Sequence, residues 1–312
     1  RDFFAVIVEQ GRNPLTPLAV MSESSHESKL AFRIVPPLLV DTFHLSVEGY
    51  YVLQGILGVA TLAGLAWLFH HVGYTRRDAA LLLVGLSLTF MGAVWFLDTQ
   101  PYFDAIAVSA LVLALCVPHP AAVFLGGSIA LWTDERSILA LGVVALYHLH
   151  RSRHGGAVAA GAAFTAYVAL RLWLGHRYGL STGRSEVGPG VFFDYGVALP
   201  VAMLLALKGL IVVLAVGYWW AIQDRQWLLV GAGALTAGSL AISMMVNDVT
   251  RSTAYVLPGV VVAIVSFVDR PRKPLVIGLA LCALPTITAI VATGAVIEPL
   301  TWFPPFPVRL LF

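Results

Sequence analysis

The chain has little charge. Only 12% of its 312 residues are Asp, Glu, Lys or Arg, against about 25% in an average soluble domain. That shortage leaves too little polar surface to cover a core in water. The charges also nearly balance, with a net of +2, which excludes the strong basic field that a nucleic-acid partner requires. Cysteine is scarce as well. Cys116 and Cys282 both lie in apolar runs, where they read as small buried hydrophobes. There is no nucleotide-binding glycine loop, no Gly-x-Ser-x-Gly elbow and no His-Glu-x-x-His zinc motif. Neither an internal repeat nor a separate soluble domain is evident.

What is present is apolar sequence: 59% of the residues are hydrophobic and the mean hydropathy is +0.84. The runs are long and do not alternate, which argues against the roughly 10-residue alternating segments of a membrane barrel. The expected fold is all-α, a polytopic transmembrane bundle of about ten segments. These fall near 48–71, 79–97, 104–117, 121–132, 135–150, 157–176, 197–221, 227–246, 253–269 and 274–293. A full crossing takes about 20 apolar residues. The third and fourth segments are shorter, and they flank Pro118, His119 and Pro120 as if they were a broken pair. Residues 30–46 hold Arg33, Pro36 and Pro37 and read as an interfacial or re-entrant helix. The expected organisation is therefore an extracytoplasmic loop at 1–47 and a single membrane domain at 48–312. The opening Arg1, with no methionine before it, suggests a preceding membrane helix or signal anchor.

Sidedness follows from the placement of Lys and Arg in short loops. Arg76 and Arg77, Arg151 and Arg153, Arg225, and Arg270, Arg272 and Lys273 occupy alternate loops, which should be cytoplasmic. The opposite loops collect Asp2, Asp98, Asp104, Asp134, Glu135, Arg136, Asp248 and Arg251. Ionised groups at the ends of apolar helices are costly unless paired, hydrated or functional. A one-sided acidic cluster with interspersed arginines suggests a polar cavity on that face.

Each of these groups has two explanations. Asp248 can cap the helix entering at 253 and pair with Arg251, or Arg251 can grip a phosphate through its planar fork. Asp134 and Glu135 suit a helix first turn, whereas Arg136 opposes the dipole there and either pairs with Glu135 or meets a specific anionic partner. Asp104 is either a helix cap or a ligand-binding carboxylate. Lys208, placed within a span, suggests pairing inside the bundle, and Arg171, nearer a helix end, suggests snorkelling. His70, His71, His148, His150 and His154 line the cytoplasmic boundary, with metal binding the less favoured explanation. The tryptophans fit interfacial belts.

Several stretches together resemble the GT-C superfamily, the integral-membrane glycosyltransferases that use polyprenyl-phosphate-linked sugars. Arg1-Asp2-Phe3-Phe4 with Gly11-Arg12-Asn13-Pro14 is similar to the start of their first extracytoplasmic loop. Phe32-Arg33-Ile34-Val35-Pro36-Pro37 resembles their Arg-x-x-x-Pro lead into the next helix. Asp98 to Asp104, and Asp134-Glu135-Arg136, resemble their later loop carboxylates. Asp248-Val249-Thr250-Arg251 with Pro258 resembles a late Asp-x-x-Arg motif. One departure from the family pattern is that Asp2 stands at the extreme terminus, without the usual first helix before it.

The resemblance implies inverting sugar transfer from a polyprenyl-phosphate donor to a lipid or glycan acceptor, on the outer face of a bacterial or archaeal plasma membrane. Asp2 would be the catalytic carboxylate. Arg251 and Arg136 would stabilise the leaving phosphate, and Asp98, Asp104, Asp134, Glu135 and Asp248 would bind substrate. Asp98 or Asp104 could hold a divalent metal, magnesium or manganese, as a cofactor. Membrane lipids and the lipid-linked sugar are the expected partners, with neighbouring membrane proteins as further ones. Two other classes compete. A non-catalytic membrane subunit would need no carboxylate cavity, and a lipid-linked-sugar transporter or flippase would carry midplane charges and broken helices.

Overall fold

The computed structural model describes residues 3–15, 31–93, 104–180, 198–245, 252–284, 289–291 and 296–298. It is helical apart from a short antiparallel ladder that joins β1 (Ala289–Val291) to β2 (Val296–Glu298).

Two short helices, α1 (Phe3–Arg12) and α2 (Val35–Phe43), pack against each other at the chain start. Pro36 and Pro37 fall at the first turn of α2, where a missing N–H costs nothing. The helix expected within 30–46 is thus present, and His44 ends it in a left-handed conformation. Then come α3 (Val47–His71), α4 (Arg76–Ser87) and α5 (Phe90–Ala93). Ser46 caps α3 by accepting from the Gly49 N–H at 3.2 Å, and Thr75 caps α4 by accepting from Asp78 at the same distance. Thr89, whose hydroxyl donates back to the Leu86 carbonyl at 2.6 Å, marks the break between α4 and α5.

The centre is built from α6 (Asp104–Cys116), α7 (Pro120–Thr133), α8 (Ser137–His150) and α9 (His154–Tyr178). Pro118, His119 and Pro120 form a tight corner between α6 and α7, and Pro120 opens α7. Two antiparallel helices result. Their backbones touch at Gly126, where a Cβ would fall 2.6 Å from the Ala110 carbonyl oxygen. Small residues allow this approach, as in helix pairs packed in lipid. Along α3, Thr61 bonds the Ser109 hydroxyl of α6 at 2.7 Å, and Cys116 donates to the Gly64 carbonyl at 3.3 Å.

The second half contains α10 (Ala198–Leu207), α11 (Leu210–Gln223), α12 (Trp227–Ser243), a 3-10 turn (Thr253–Val256), α13 (Leu257–Val265) and α14 (Lys273–Cys282). The span expected at 197–221 is two helices bent by 85°. At that bend Lys208 adopts a positive φ of 49°. Its ammonium donates to the carbonyls of Leu88, Cys282 and Leu284 at 2.8, 3.2 and 3.0 Å. A lysine in an apolar run thus satisfies the open C-terminal ends of α4 and α14, and its partners are carbonyls.

Both α6 and α13 are apolar all round and buried, and the other helices wrap them. Cys116 and Cys282 are free and buried. By length and composition, α3 and α9 are apolar enough to cross a membrane, and the bent α10–α11 pair would make a third span. α6, α7 and α8 have 13, 14 and 14 residues, about 20 Å at 1.5 Å per residue and short of a hydrocarbon core of about 30 Å. Outward-facing apolar side chains are abundant: Val52, Ile56 and Val59 on α3 are 62, 60 and 62% exposed.

Among the described residues, the charged loop side chains collect at two opposite ends of the bundle. One end joins Arg33, Asp104, Asp134, Arg136 and Ser252. The other joins Asp224 with Arg270 and Asp78 with Arg272. The division between acidic and basic loops is therefore spatial.

Candidate functional site

The acidic end is organised around Asp134. This residue ends α7 in an extended conformation, φ −157°, and accepts from the Arg136 backbone N–H at 2.9 Å. That turn swings the Arg136 side chain back over the carboxylate. Its Nε and Nη2 donate to the two Asp134 oxygens, each at 2.8 Å, in a bidentate pair. Nη2 also donates to Asp104 Oδ1 at 2.8 Å, and Nη1 to Ser252 Oγ at 2.7 Å. The Tyr255 hydroxyl donates to the same Asp104 oxygen at 2.7 Å, and its ring lies 4.7 Å below the guanidinium. From the other side Arg33 Nη2 meets Asp134 Oδ2 at 2.9 Å and Glu135 Oε1 at 3.5 Å.

Three carboxylates and two guanidiniums thus meet, drawn from the segment before α2, the start of α6 and the α7–α8 corner, and the 3-10 turn adds the Tyr255 phenol. Burial separates them. The Asp104 and Asp134 side chains are 1% exposed, Arg33 10%, Arg136 13% and Glu135 31%. Burial alone would raise the Asp134 pKa. The Arg136 and Arg33 guanidiniums overcome it and hold that carboxyl well below the usual carboxylate range. Arg33 Nε is buried with no partner among the described residues.

This arrangement assigns the anticipated residues unequally. Asp104, Asp134, Glu135 and Arg136 converge. Asp2, Asp98, Asp248 and Arg251 lie outside the described residues. Four Arg136 N–H bonds already go to protein oxygens, so its fork faces carboxylates and a hydroxyl. Three members went unselected in the sequence. Arg33 had a signal, an arginine inside Phe32 to Pro37; Tyr255 and Ser252 had none.

Metal chemistry finds no complete donor set here. Among the described residues no three His, Cys, Asp or Glu side chains gather to hold an ion. The Asp104 and Asp134 oxygens are met by guanidiniums and a phenol. Asp98, the other carboxylate expected to hold a metal, lies outside the described residues.

Beside this cluster lies an aromatic bed. Arg171 stacks over Phe32 at 4.6 Å and lies 5.6 Å from the Tyr167 ring, and its Nη1 donates to the Tyr167 hydroxyl. Trp132 meets Tyr167 edge-on at 4.9 Å. The charges of Glu135 and Asp134 also act on that hydroxyl, which places the bed against the acidic site. Snorkelling would carry Arg171 toward the C-terminal end of α9. It turns instead to Tyr167, one turn back.

The basic end differs. A cavity of about 320 Å³ opens there, lined by Tyr147, His150, Arg151, Trp220, Asp224 and Arg270 among others. The histidines there are dispersed. His148 is buried with Nε2 at 2.8 Å from the Ala114 carbonyl, and His71 stacks on Trp67. No family model, no curated protein and no solved structure matches this chain.

Proposed function

We propose that the chain is a membrane-embedded transferase that moves a sugar from a polyprenyl-phosphate donor to a lipid or glycan acceptor at its acidic end. The bundle would cross the bilayer in about ten segments. Its shorter helices would be shielded by protein, and the acidic end would face outside. One observation carries this reading: five charged side chains from three separate stretches of the sequence converge at one end of an apolar bundle, leaving Glu135 partly open to solvent.

In the reaction the acceptor hydroxyl oxygen attacks the anomeric carbon while the carbon–oxygen bond to the phosphate breaks. The configuration inverts, and the hydroxyl proton passes to a carboxylate. The resemblance gives that proton-accepting role to Asp2, which lies outside the described residues; among the described carboxylates of the cluster we assign it to Glu135, the one open to solvent. Asp104, Asp134 and Arg136 would hold the floor of the site rigid, since their charges are spent on one another.

That mutual saturation also favours a second reading, a non-catalytic membrane subunit stapled by buried ion pairs. Purified chain in nanodiscs, given a polyprenyl-phosphate donor carrying a radiolabelled sugar, separates the two. Donor turnover that falls in Asp2→Asn or Glu135→Gln supports the transferase. No turnover and no donor-dependent thermal shift supports the subunit.

A further inference from the structure

We infer that Arg171 is the phosphate anchor of a lipid site on the outer surface of α9, where a phosphate borne on an apolar chain docks beside the acidic cluster. The inference rests on the membrane-embedded part of the proposed function and not on catalysis, so a chain without transfer activity would still show it.

The charge is the first observation. Arg171 has no carboxylate within ion-pair reach among the described residues, whereas Arg33 and Arg136 each have two and Arg270 and Arg272 one. It is half-buried, held by the ring of Phe32 and by the ring and hydroxyl of Tyr167. Nη1 goes to Tyr167, which leaves Nε and Nη2 as an edge of parallel donors, the geometry that matches two phosphate oxygens. A guanidinium fixed in this way pays little side-chain entropy on binding.

The surroundings are the second observation. Tyr167 and Leu174 lie on the buried face of α9, while Phe164, Val168 and Leu172 are 41, 36 and 70% exposed. At about 100° per residue, Arg171 falls on the border between those two faces. The exposed three are spaced by four, so they form one apolar stripe running from Arg171 toward the middle of the helix. Trp173 and Tyr178 meet edge-on at 5.9 Å and are 53 and 37% exposed. Such a pair marks the headgroup level at the end of an apolar helix. A phosphate at Arg171 with its chain along Phe164, Val168 and Leu172 matches charge to charge and apolar surface to apolar surface.

The full chain in detergent is titrated with polyprenyl monophosphate, phosphatidylglycerol, the matching polyprenol without phosphate, and inorganic phosphate, and is read by native mass spectrometry and thermal shift. Wild type should bind both phosphate-bearing lipids more tightly than the polyprenol, and inorganic phosphate should not compete. Preference for the monophosphate over phosphatidylglycerol would mark a donor-type lipid; equal binding would mark a general phospholipid site. Arg171→Gln should weaken phosphate-lipid binding by about tenfold, the equivalent of losing one charge-assisted fork, and leave polyprenol binding unchanged. Arg171→Lys keeps the charge and the fold, and should lose several-fold. If both variants bind the phosphate lipids as wild type does, or lose polyprenol equally, the anchor is elsewhere and the inference is wrong.

Discussion

The two ends of this molecule use the same residue types under different solvation. At the acidic end Arg136 and Asp134 are nearly dry, and every strong bond between them is duplicated by Asp104, Ser252 or Arg33. At the basic end the Arg270–Asp224 pair is 39 and 30% exposed and the Arg272–Asp78 pair 40 and 29%. Water screens the second set and not the first. An exposed pair contributes about 0–1 kcal/mol, whereas breaking a buried one strands a charge at about 3–5 kcal/mol. Equal contacts therefore carry unequal consequences.

The largest stability effect should come from Arg136→Met. It strands two buried carboxylates, so thermal unfolding in detergent should show a loss of about 3–5 kcal/mol. Asp104→Asn combined with Asp134→Asn in the same background should recover part of it. No loss in Arg136→Met would show that the acidic end is as solvated as the basic one.

Acid should act on the same end. The Asp134 carboxyl is held below its ordinary value, so its contribution is present above the unfolded pKa and is lost as pH falls through the folded one. Stability should be level down to about pH 5 and decline below about pH 4. In Asp134→Asn that decline should be shallower; an unchanged acid limb would assign it to other carboxylates.

Lys208→Met tests the middle of the bundle. It leaves the carbonyls of Leu88, Cys282 and Leu284 without their donor, a cost of about 1–3 kcal/mol visible as a lower unfolding midpoint. Arg270→Gln should move the midpoint least, by about 0–1 kcal/mol. A larger loss there would erase the contrast between the ends.

Much of this contrast was legible in the sequence. The alternation of arginine-rich and acidic loops predicts two chemically distinct ends, and the described members of each set do gather at separate ends. The Asp134-Glu135-Arg136 run also announced an ion pair, but not its partners: Arg136 takes Asp134 and Asp104, and Glu135 goes to Arg33. Asp104 lies 32 residues from Arg136 and Ser252 lies 116 residues away, separations that only tertiary packing closes. The break at Leu88–Thr89 and the bend at Lys208 were also invisible, because the apolar run continues through both. What surrounds each helix was not legible either: α6 and α13 are short, apolar and buried within the bundle, and hydropathy does not distinguish protein from lipid.

The central claim is that chemistry belongs to the acidic end and that the basic end is a solvated boundary. One matched comparison tests it most directly. Glu135 and Asp224 are 31 and 30% exposed, one at each end, so Glu135→Gln and Asp224→Asn remove similar charges at similar solvent cost. Both go into the labelled-donor assay in nanodiscs beside wild type, with unfolding midpoints measured on the same preparations. The account predicts that Glu135→Gln lowers turnover by about 10²–10⁴, the worth of a general base, while Asp224→Asn stays close to wild type and neither midpoint moves appreciably. Unchanged turnover in Glu135→Gln with loss in Asp224→Asn would place the chemistry at the opposite end and contradict the account.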